Sequence, residues 1–226
     1  MHGDPSQAAG NALRFARRGI ATVSISYRLA PAHRFPAPLH DVRRALRHVR
    51  AHAPELGIDP GRIALMGLSA GAHLALLAHL AADVPELAPR SADLDGIDES
   101  VRAIVLHYGP YDLARRRPLP DGFDPIAELL GERVTDEAWV RLASPVHHAA
   151  RASAPVLLIH GTADAVVSFR ESERMHAALE RAGRQSELLL LDAAPHAFQI
   201  NWRGEANRRA NAATDAFLER HLLADA

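Results

Sequence analysis

The alternation of short apolar segments with longer segments of helical periodicity is the feature that most constrains the fold of this chain. Five apolar runs are predicted to be strands, and they span residues 21–27, 62–67, 101–109, 155–161 and 187–193. Their apolar character is nearly continuous, which is typical of parallel strands that are covered on both faces. The order of the segments therefore predicts an α/β fold with a mostly parallel, doubly wound sheet.

Helical patterns lie between these runs. Val42, Leu46 and Val49 stand at helical spacing, as do Met175 and Leu179, and further helices are predicted at 70–80 and 206–223. We interpret residues 1–226 as one domain in which 112–142 is an irregular excursion, because this segment is rich in arginine and proline and has little periodicity. It is either a solvated connector or a flap beside a pocket at the strand ends.

Composition excludes several classes of function. The chain of 226 residues has no cysteine, so disulfides, thiolate zinc sites and cysteine nucleophiles are excluded. A net charge of −1 gives no general attraction to nucleic acid or to anionic membranes. No metal-site or cofactor motif is present. Since the sequence also has no signal-peptide pattern, it predicts a cytoplasmic protein that needs no cofactor.

Residues 63–82 carry no Asp, Glu, Lys or Arg and are about as long as a bilayer-spanning helix. Two glycines, a serine and two histidines within this run favour a strand, a sharp turn and a helix instead of a membrane span. The turn contains Gly67-Leu68-Ser69-Ala70-Gly71, a G-x-S-x-G motif. In a strand-turn-helix setting this motif is typical of a nucleophile elbow, whose glycines permit the turn that projects the serine hydroxyl. The alternative is a tight turn with a helix-capping serine.

A nucleophilic serine needs a base that takes its proton and an acidic group that orients the base. In a fold of this kind they follow in the order Ser, Asp, His, each after a later strand. Asp164 follows the fourth predicted strand and His196 follows the fifth. Asp192 is the weaker candidate acid, because it lies only four residues before His196. Fourteen histidines are present, and others such as His160 and His107 are interpreted as core or surface residues.

Several segments together resemble the α/β-hydrolase esterases of the acetyl-esterase/lipase type, which include the hormone-sensitive-lipase-like and BD-FAE-like groups. These segments are SYRLAPAHRF (26–35), IALMGLSAGAHLA (63–75), HYGPYDL (107–113), ASPVHH (143–148), LLIHGTADAVV (157–167) and APHAFQ (194–199). The resemblance implies an α/β-hydrolase fold without a separate cap domain, and a catalytic triad of Ser69, Asp164 and His196. We also expect an ion pair between Arg28 and Asp41 that holds the YRLAP loop.

Members of this family carry an H-G-G-G run whose backbone N–H groups form half of the oxyanion hole. Matching His2-Gly3 to that run requires a deletion and places Pro5, which has no N–H, at a donor position. Matching Gly3-Asp4 to a later Gly-Asp pair of the family keeps the spacing without a gap. We therefore expect the chain to begin after the oxyanion loop and to keep only the N–H of Ala70 as an oxyanion donor.

The resemblance also implies that the strand before this loop belongs between segments 21–27 and 62–67, in an N-terminally shortened sheet. Either these two segments pair directly, or a partner fills the gap, or the sequence is a piece of a longer protein. Unpaired ladder groups are costly and invite association, so a homo-oligomer is one expectation.

The sequence thus predicts a serine carboxylic-ester hydrolase that acts through an acyl-enzyme on small esters of short, acetyl-like acids. The loss of an oxyanion donor is expected to reduce its activity. Leu68, Tyr108 and Phe198 adjoin strand-end loops and are predicted pocket walls, with a purely structural role in the core as the alternative. Two other functions stay open: an amidase or formamidase with the same triad, and a catalytically impaired protein with a binding or regulatory role.

Overall fold

Four parallel strands form the sheet in the part of the chain that the computed structural model describes, residues 9–88, 94–119 and 121–224. The strands are β1 (Ala64–Leu68), β2 (Ala103–His107), β3 (Val156–Gly161) and β4 (Ser186–Leu191). They pair in sequence order, β1-β2-β3-β4, and every pair is parallel. Their carboxyl ends therefore lie at one edge of the sheet, where the loops that carry the candidate residues begin. The His2-Gly3 pair lies outside the described residues.

Eight α-helices occur in the described ranges, and none of them is long and apolar enough to cross a lipid bilayer. They are α1 (Ala9–Ala16), α2 (Ala37–Ala51), α3 (Ala53–Leu56), α4 (Ala70–Leu80), α5 (Pro125–Leu130), α6 (Glu137–Leu142), α7 (Arg170–Arg181) and α8 (Glu205–Leu218). The helices predicted from their apolar spacing are α2, α4, α7 and α8. The last is followed by a π-helical turn, Glu219–Leu223.

Helices cover both faces of the sheet because successive side chains of a strand point to opposite faces. In β2, Ile104 and Leu106 pack with apolar side chains of α2, α4 and α7, whereas Ala103 and Val105 pack with those of α1 and α8. Every residue of β2 and β3 is buried, which explains why these two strands are almost uniformly apolar in sequence. The predicted doubly wound parallel α/β fold is confirmed.

The predicted strand at 21–27 is wrong, because these residues have no regular secondary structure and most of them are exposed. The next residue, Arg28, is nevertheless fixed. Its Nη2 lies 2.8 Å from Oδ1 of Asp41 in α2, and the backbone N–H of Arg28 donates to Oδ2 of Asp41 at 2.8 Å. The predicted ion pair is therefore confirmed. A β-branched segment becomes a strand only when a neighbour accepts and donates its backbone hydrogen bonds. In the described part of the chain the sheet consists of β1 to β4 and does not include 21–27, so direct strand pairing of this segment with β1 is also wrong.

A cleft of about 1810 Å³ lies between this segment and β1. Residues 19–30 line one side and residues 62–71 line the other, and the cleft extends to His196 at the carboxyl end of the sheet. Within the described ranges no strand pairs with the outer edge of β1, whose side chains are mostly half-buried. Coverage of this edge by a second copy of the chain stays a prediction.

Segment 112–142 is more regular than the sequence predicts, because it contains the short helices α5 and α6. The side chain of Asp124 accepts hydrogen bonds from the N–H groups of Ile126 and Ala127, and that of Asp136 accepts one from Trp139. Side-chain caps of this kind stabilise a helix end. Each helix has only six residues, which is too few for a helical period to be visible in the sequence. A role of the segment as a flap stays a prediction.

Candidate active site

Ser69 stands at the turn between β1 and α4 in a conformation that non-glycine residues rarely adopt, with φ 51° and ψ −118°. Gly67 permits the turn, since a Cβ there would lie 2.3 Å from the carbonyl oxygen of Gly71. At Gly71 itself an added Cβ would meet no described atom within 4 Å. The strand and the helix approach each other closely at Gly67, so the tight turn that the motif predicts requires glycine at 67 and not at 71.

A continuous set of hydrogen bonds joins Ser69, His196 and Asp164. Nε2 of His196 lies 3.2 Å from Oγ of Ser69, and Nδ1 lies 2.6 Å from Oδ2 of Asp164. Because a carboxylate only accepts, Nδ1 carries the proton and Nε2 is left to accept the serine hydroxyl. The Asp164 side chain is fully buried, whereas that of His196 is 19% exposed and lines the cleft.

The carboxylate of Asp164 is held by groups on both of its oxygens. Oδ1 accepts the backbone N–H groups of Val166 and Val167 at 2.9 and 2.8 Å, and Oδ2 lies 3.2 Å from Nε2 of His160 as well as near His196. Burial by itself would raise the pKa of Asp164. The hydrogen bonds from His160, His196 and Val167 outweigh burial and hold that pKa well below its usual value. The side chain is therefore ionised at neutral pH.

The loops that carry Asp164 and His196 approach each other closely at Gly161. A Cβ on this residue would lie 2.1 Å from the carbonyl oxygen of Ala194, so only glycine fits. The same carbonyl accepts the N–H of Ala163 at 3.1 Å. The two loops are thus fixed relative to each other by backbone contacts. The sequence contains the glycine at 161, but it does not show that a second loop approaches there.

The structure distinguishes the two acids that the sequence offered for His196. Asp192 is exposed, and its Oδ1 lies 3.3 Å from Oγ1 of Thr162. Asp164, in contrast, lies against Nδ1 of His196. Only Asp164 has the geometry of an orienting acid.

Tyr108 and Leu68, two of the three predicted wall residues, line the cleft. The ring of Tyr108 meets that of His196 edge to face with 4.6 Å between centroids, and its hydroxyl donates to Oε1 of Gln199. Burial raises the pKa of Tyr108 above its usual value, and the negative charge of Asp164 raises it further. The hydrogen bond to Gln199 lowers this pKa but does not cancel the increase. Tyr108 is therefore a neutral phenol that packs against the ring of His196.

The prediction for Phe198 is wrong, because this residue does not line the cleft and its ring packs in the hydrophobic core. Its ring stacks on that of His107 at 5.7 Å between centroids. The preceding Ala197 has a left-handed conformation with φ 54°, which reverses the chain locally. Gln199 and Ile200 line the cleft instead. Sequence position beside a strand end could not reveal this reversal.

Ala70 is the first residue of α4 and lines the cleft beside Ser69. The first N–H groups of a helix have no intrahelical acceptor, and the helix dipole favours negative charge near them. Here the N–H groups of Ala72 and His73 donate to the carbonyl oxygen of Ser69 at 3.0 and 3.2 Å, which closes the first turn. The role of the Ala70 N–H as an oxyanion donor stays a prediction.

His160 belongs to the site although the sequence assigns it no role there. Its side chain is fully buried, which agrees with the expectation of a core histidine, and it also contacts Asp164, which the sequence does not predict. Its position four residues before Asp164, at the end of a strand, was the available signal. In the described part of the chain, no group of three or more His, Asp or Glu side chains is arranged to hold a metal ion.

Comparison with known proteins gives consistent matches. The BD-FAE family profile matches residues 1–179. Esterase LipQ of Mycobacterium tuberculosis is 32% identical over 95% of this chain and 51% of its own length, and Esterase LipC of the same organism is 36% identical over 83% and 47%. The chain thus spans about half the length of these curated relatives. The butyrate-bound esterase Est2 of Thermogutta terrifontis superposes with a TM-score of 0.81 at 29% identity, covering 97% of this chain and 79% of that one.

Proposed function

This chain belongs to the BD-FAE family of α/β-hydrolase esterases, and we propose that it is a serine carboxylic-ester hydrolase. One observation carries the proposal: the strained Ser69 is hydrogen-bonded to His196, which is hydrogen-bonded to the buried Asp164, and Ser69 and His196 line one cleft. This is the arrangement that activates a serine hydroxyl for attack on a carbonyl carbon.

The proposed reaction has two halves. Oγ of Ser69 attacks the ester carbonyl carbon while Nε2 of His196 takes the hydroxyl proton, and the carbonyl oxygen becomes an oxyanion next to the N–H of Ala70. The carbon–oxygen bond to the alcohol then breaks, and His196 gives its proton to the departing alcohol oxygen. In the second half, a water molecule gives a proton to His196 and attacks the acyl carbon. The acid leaves, and Ser69 regains its proton from His196.

Asp164 has two roles in this proposal. Its hydrogen bond to Nδ1 keeps the imidazole in the tautomer that accepts at Nε2, and its negative charge stabilises the imidazolium that forms. The low pKa of Asp164 supports both roles, because the carboxylate stays ionised throughout the neutral range. Tyr108 supports the same orientation by its edge-to-face contact with the His196 ring.

We propose small esters of short acids, such as acetates, as the substrates. The related Est2 structure contains butyrate, which supports a short acyl group. Leu68 and Tyr108 line the cleft together with Ser69, and they are the proposed apolar contacts for the acyl chain. The open remainder of the cleft leaves room for varied alcohols.

Replacing the nucleophile tests the proposal. Ser69→Ala is expected to lower the turnover of p-nitrophenyl acetate by about 10⁴-fold or more, because no other group supplies the attacking oxygen. Ser153→Ala is the matched control, since Ser153 is exposed and precedes β3 at the opposite end of the sheet. Steady-state kinetics on the wild-type chain and on both variants measures the effect. The same assay on the wild-type chain with acyl groups of increasing length gives its acyl preference.

Equal turnover by the wild-type chain and Ser69→Ala would contradict the triad. Faster turnover of p-nitroacetanilide than of the acetate would contradict the assignment to esters, since the two substrates differ in the scissile bond.

A further inference from the structure

A second histidine contacts the carboxylate that orients the proposed base. His160 belongs to β3, and its side chain is fully buried. Nε2 lies 3.2 Å from Oδ2 of Asp164 and 3.0 Å from the carbonyl oxygen of Val167, while Nδ1 lies 2.8 Å from Oγ of Ser172 in α7. Both ring nitrogens are therefore engaged, and the orientation of the imidazole is fixed by three different groups.

The partners of His160 determine its tautomer. Both groups near Nε2, the carboxylate of Asp164 and the carbonyl of Val167, are acceptors. Nε2 must therefore carry a hydrogen, which the two oxygens share. In the neutral ring Nδ1 then accepts the hydroxyl hydrogen of Ser172. His160 is consequently a donor to the same carboxylate oxygen that faces Nδ1 of His196.

The two oxygens of Asp164 are held in different ways. Oδ1 is held by the backbone N–H groups of Val166 and Val167, which belong to the same loop as Asp164. Oδ2 contacts only side chains among the described residues, namely His196 and His160. Since His196 is the group that has to be oriented, His160 is the independent donor that fixes Oδ2.

We propose that His160 is a positioning residue for ester hydrolysis, whose Nε2–H holds Oδ2 of Asp164 in line with Nδ1 of His196. The inference rests on the proposed function, which gives Asp164 and His196 their roles. A carboxylate turns easily about its last side-chain torsion, which has a broad energy profile. The N–H groups of Val166 and Val167 restrict this rotation through Oδ1, and His160 adds a second restraint through Oδ2. The combined restraint is transmitted to the ring of His196, whose Nε2 must stay within reach of Ser69.

This role makes a specific kinetic prediction. His160 is buried and is not among the residues that line the cleft, so its replacement leaves substrate contacts in place. Misorientation of the base affects the chemical step. We therefore expect kcat to fall while KM stays nearly constant, the pattern of an interaction that matters in the transition state and not in substrate binding.

Three variants of the full chain test the proposal with p-nitrophenyl acetate. His160→Leu removes the donor and is expected to lower kcat by about 10- to 100-fold, the range that small misplacements of catalytic groups produce. His160→Gln keeps an N–H near the position of Nε2 and is expected to restore most of kcat. His33→Gln changes an exposed histidine that does not line the cleft, so it serves as the control with nearly wild-type kcat.

A merely structural role predicts a different result, in which kcat follows the folded fraction and Gln gives no rescue. The thermal midpoint of each variant is measured for this reason. If His160→Leu does not fold, His160→Asn replaces it, because the shorter amide cannot reach Asp164. Equal kcat in the Asn and Gln variants would overturn the proposal.

A spectroscopic measurement separates this inference from the proposed function. The proton between Nδ1 of His196 and Asp164 is in a short hydrogen bond and is expected to give a downfield NMR signal, identified by its loss in His196→Gln. The signal is expected to weaken or move in His160→Leu and to return in His160→Gln. Absence of Ser69-dependent turnover would refute the proposed function alone. If replacing His160 changes neither the NMR signal nor kcat, the positioning role alone is refuted.

Discussion

At the scale of single residues, His107 is a polar group that is buried without a compensating hydrogen bond in the described structure. It is the last residue of β2, its side chain is buried, and its ring stacks on Phe198. In the described part of the chain, neither ring nitrogen has a hydrogen-bond partner. Burial, aided by the charge of Arg14, lowers the pKa of His107 to about 3, so the ring is neutral at physiological pH.

We expect His107→Phe to increase the free energy of unfolding. The substitution keeps an aromatic ring against Phe198 and removes two polar atoms that are desolvated without a partner. A buried unsatisfied polar group costs about 1–3 kcal/mol, so an increase of roughly 1 kcal/mol at neutral pH is expected after some loss to tighter packing. Urea unfolding of the wild type and the variant measures the difference.

His107→Ala provides the comparison for this substitution. It removes the same polar atoms but leaves a cavity, and we expect it to be destabilising. A loss of stability in the Phe variant as large as that in the Ala variant would show that the imidazole nitrogens are satisfied in solution.

At the scale of elements, β1 and β3 differ although they belong to one sheet. β3 lies between two parallel neighbours and is completely buried. β1 pairs with β2 on one side, and on its other side the described structure has the cleft. Backbone groups on that outer edge are open to solvent and to association.

We therefore expect the amide hydrogens of residues 63–68 to exchange with deuterium faster than those of residues 156–161. The reason is that amides on a free strand edge are protected only by local structure, whereas amides in the centre of a sheet exchange only when the sheet opens. Hydrogen–deuterium exchange with mass spectrometry measures both peptides in one experiment.

Equal protection of the two peptides would mean that the outer edge of β1 is covered in solution. Light scattering on the same sample then decides whether a second copy of the chain covers it, which is the homo-oligomer that the sequence predicts. Rapid exchange in a monomer would argue against that oligomer.

At the scale of the whole molecule, three buried histidines make stability depend on pH. Burial lowers the pKa of His73 and of His79 to about 4, and that of His107 to about 3. All three values lie below the ordinary histidine value of about 6.5 that applies to the unfolded chain. Between these limits, the unfolded chain binds protons that the folded protein does not bind.

The free energy of unfolding is therefore expected to decrease as the pH falls from 6.5 towards 4. Its full value is present above pH 6.5, and each of the three histidines contributes a slope of up to ~1.4 kcal/mol per pH unit within the window. Below the native pKa values their contribution to the slope ends. Urea midpoints at neutral and at mildly acidic pH measure the effect.

Two variants make the acid test specific to buried histidines. His107→Phe removes one of the three groups and is expected to reduce the slope. His33→Gln changes an exposed histidine and is expected to leave the slope unchanged. A slope that responds equally to both substitutions would contradict an origin in burial.

The sequence by itself determined the fold class and the order of the candidate groups. Apolar runs separated by helical patterns specify parallel strands, because burial on both faces leaves a local signature in each strand. The turn at Ser69 was visible for a similar reason, since the glycine at 67 and the helix after 70 are local requirements. Asp164 and His196 could be named because each follows a strand in the expected order.

Tertiary structure alone decided which groups touch. Asp164 and Asp192 are both aspartates near His196 or a strand end in the sequence. The approach of two loops at Gly161 is what brings Asp164 to His196. His160 became part of the site because its ring is fixed by groups from a loop and a helix. Segment 21–27 has the pattern of a strand, yet it is not one in the described structure. Asp164 and His196 are 32 positions apart, and the ring of His160 is held both by Asp164, four positions away, and by Ser172, 12 positions away. Whether such groups meet depends on how the loops and helices pack, which no local pattern encodes.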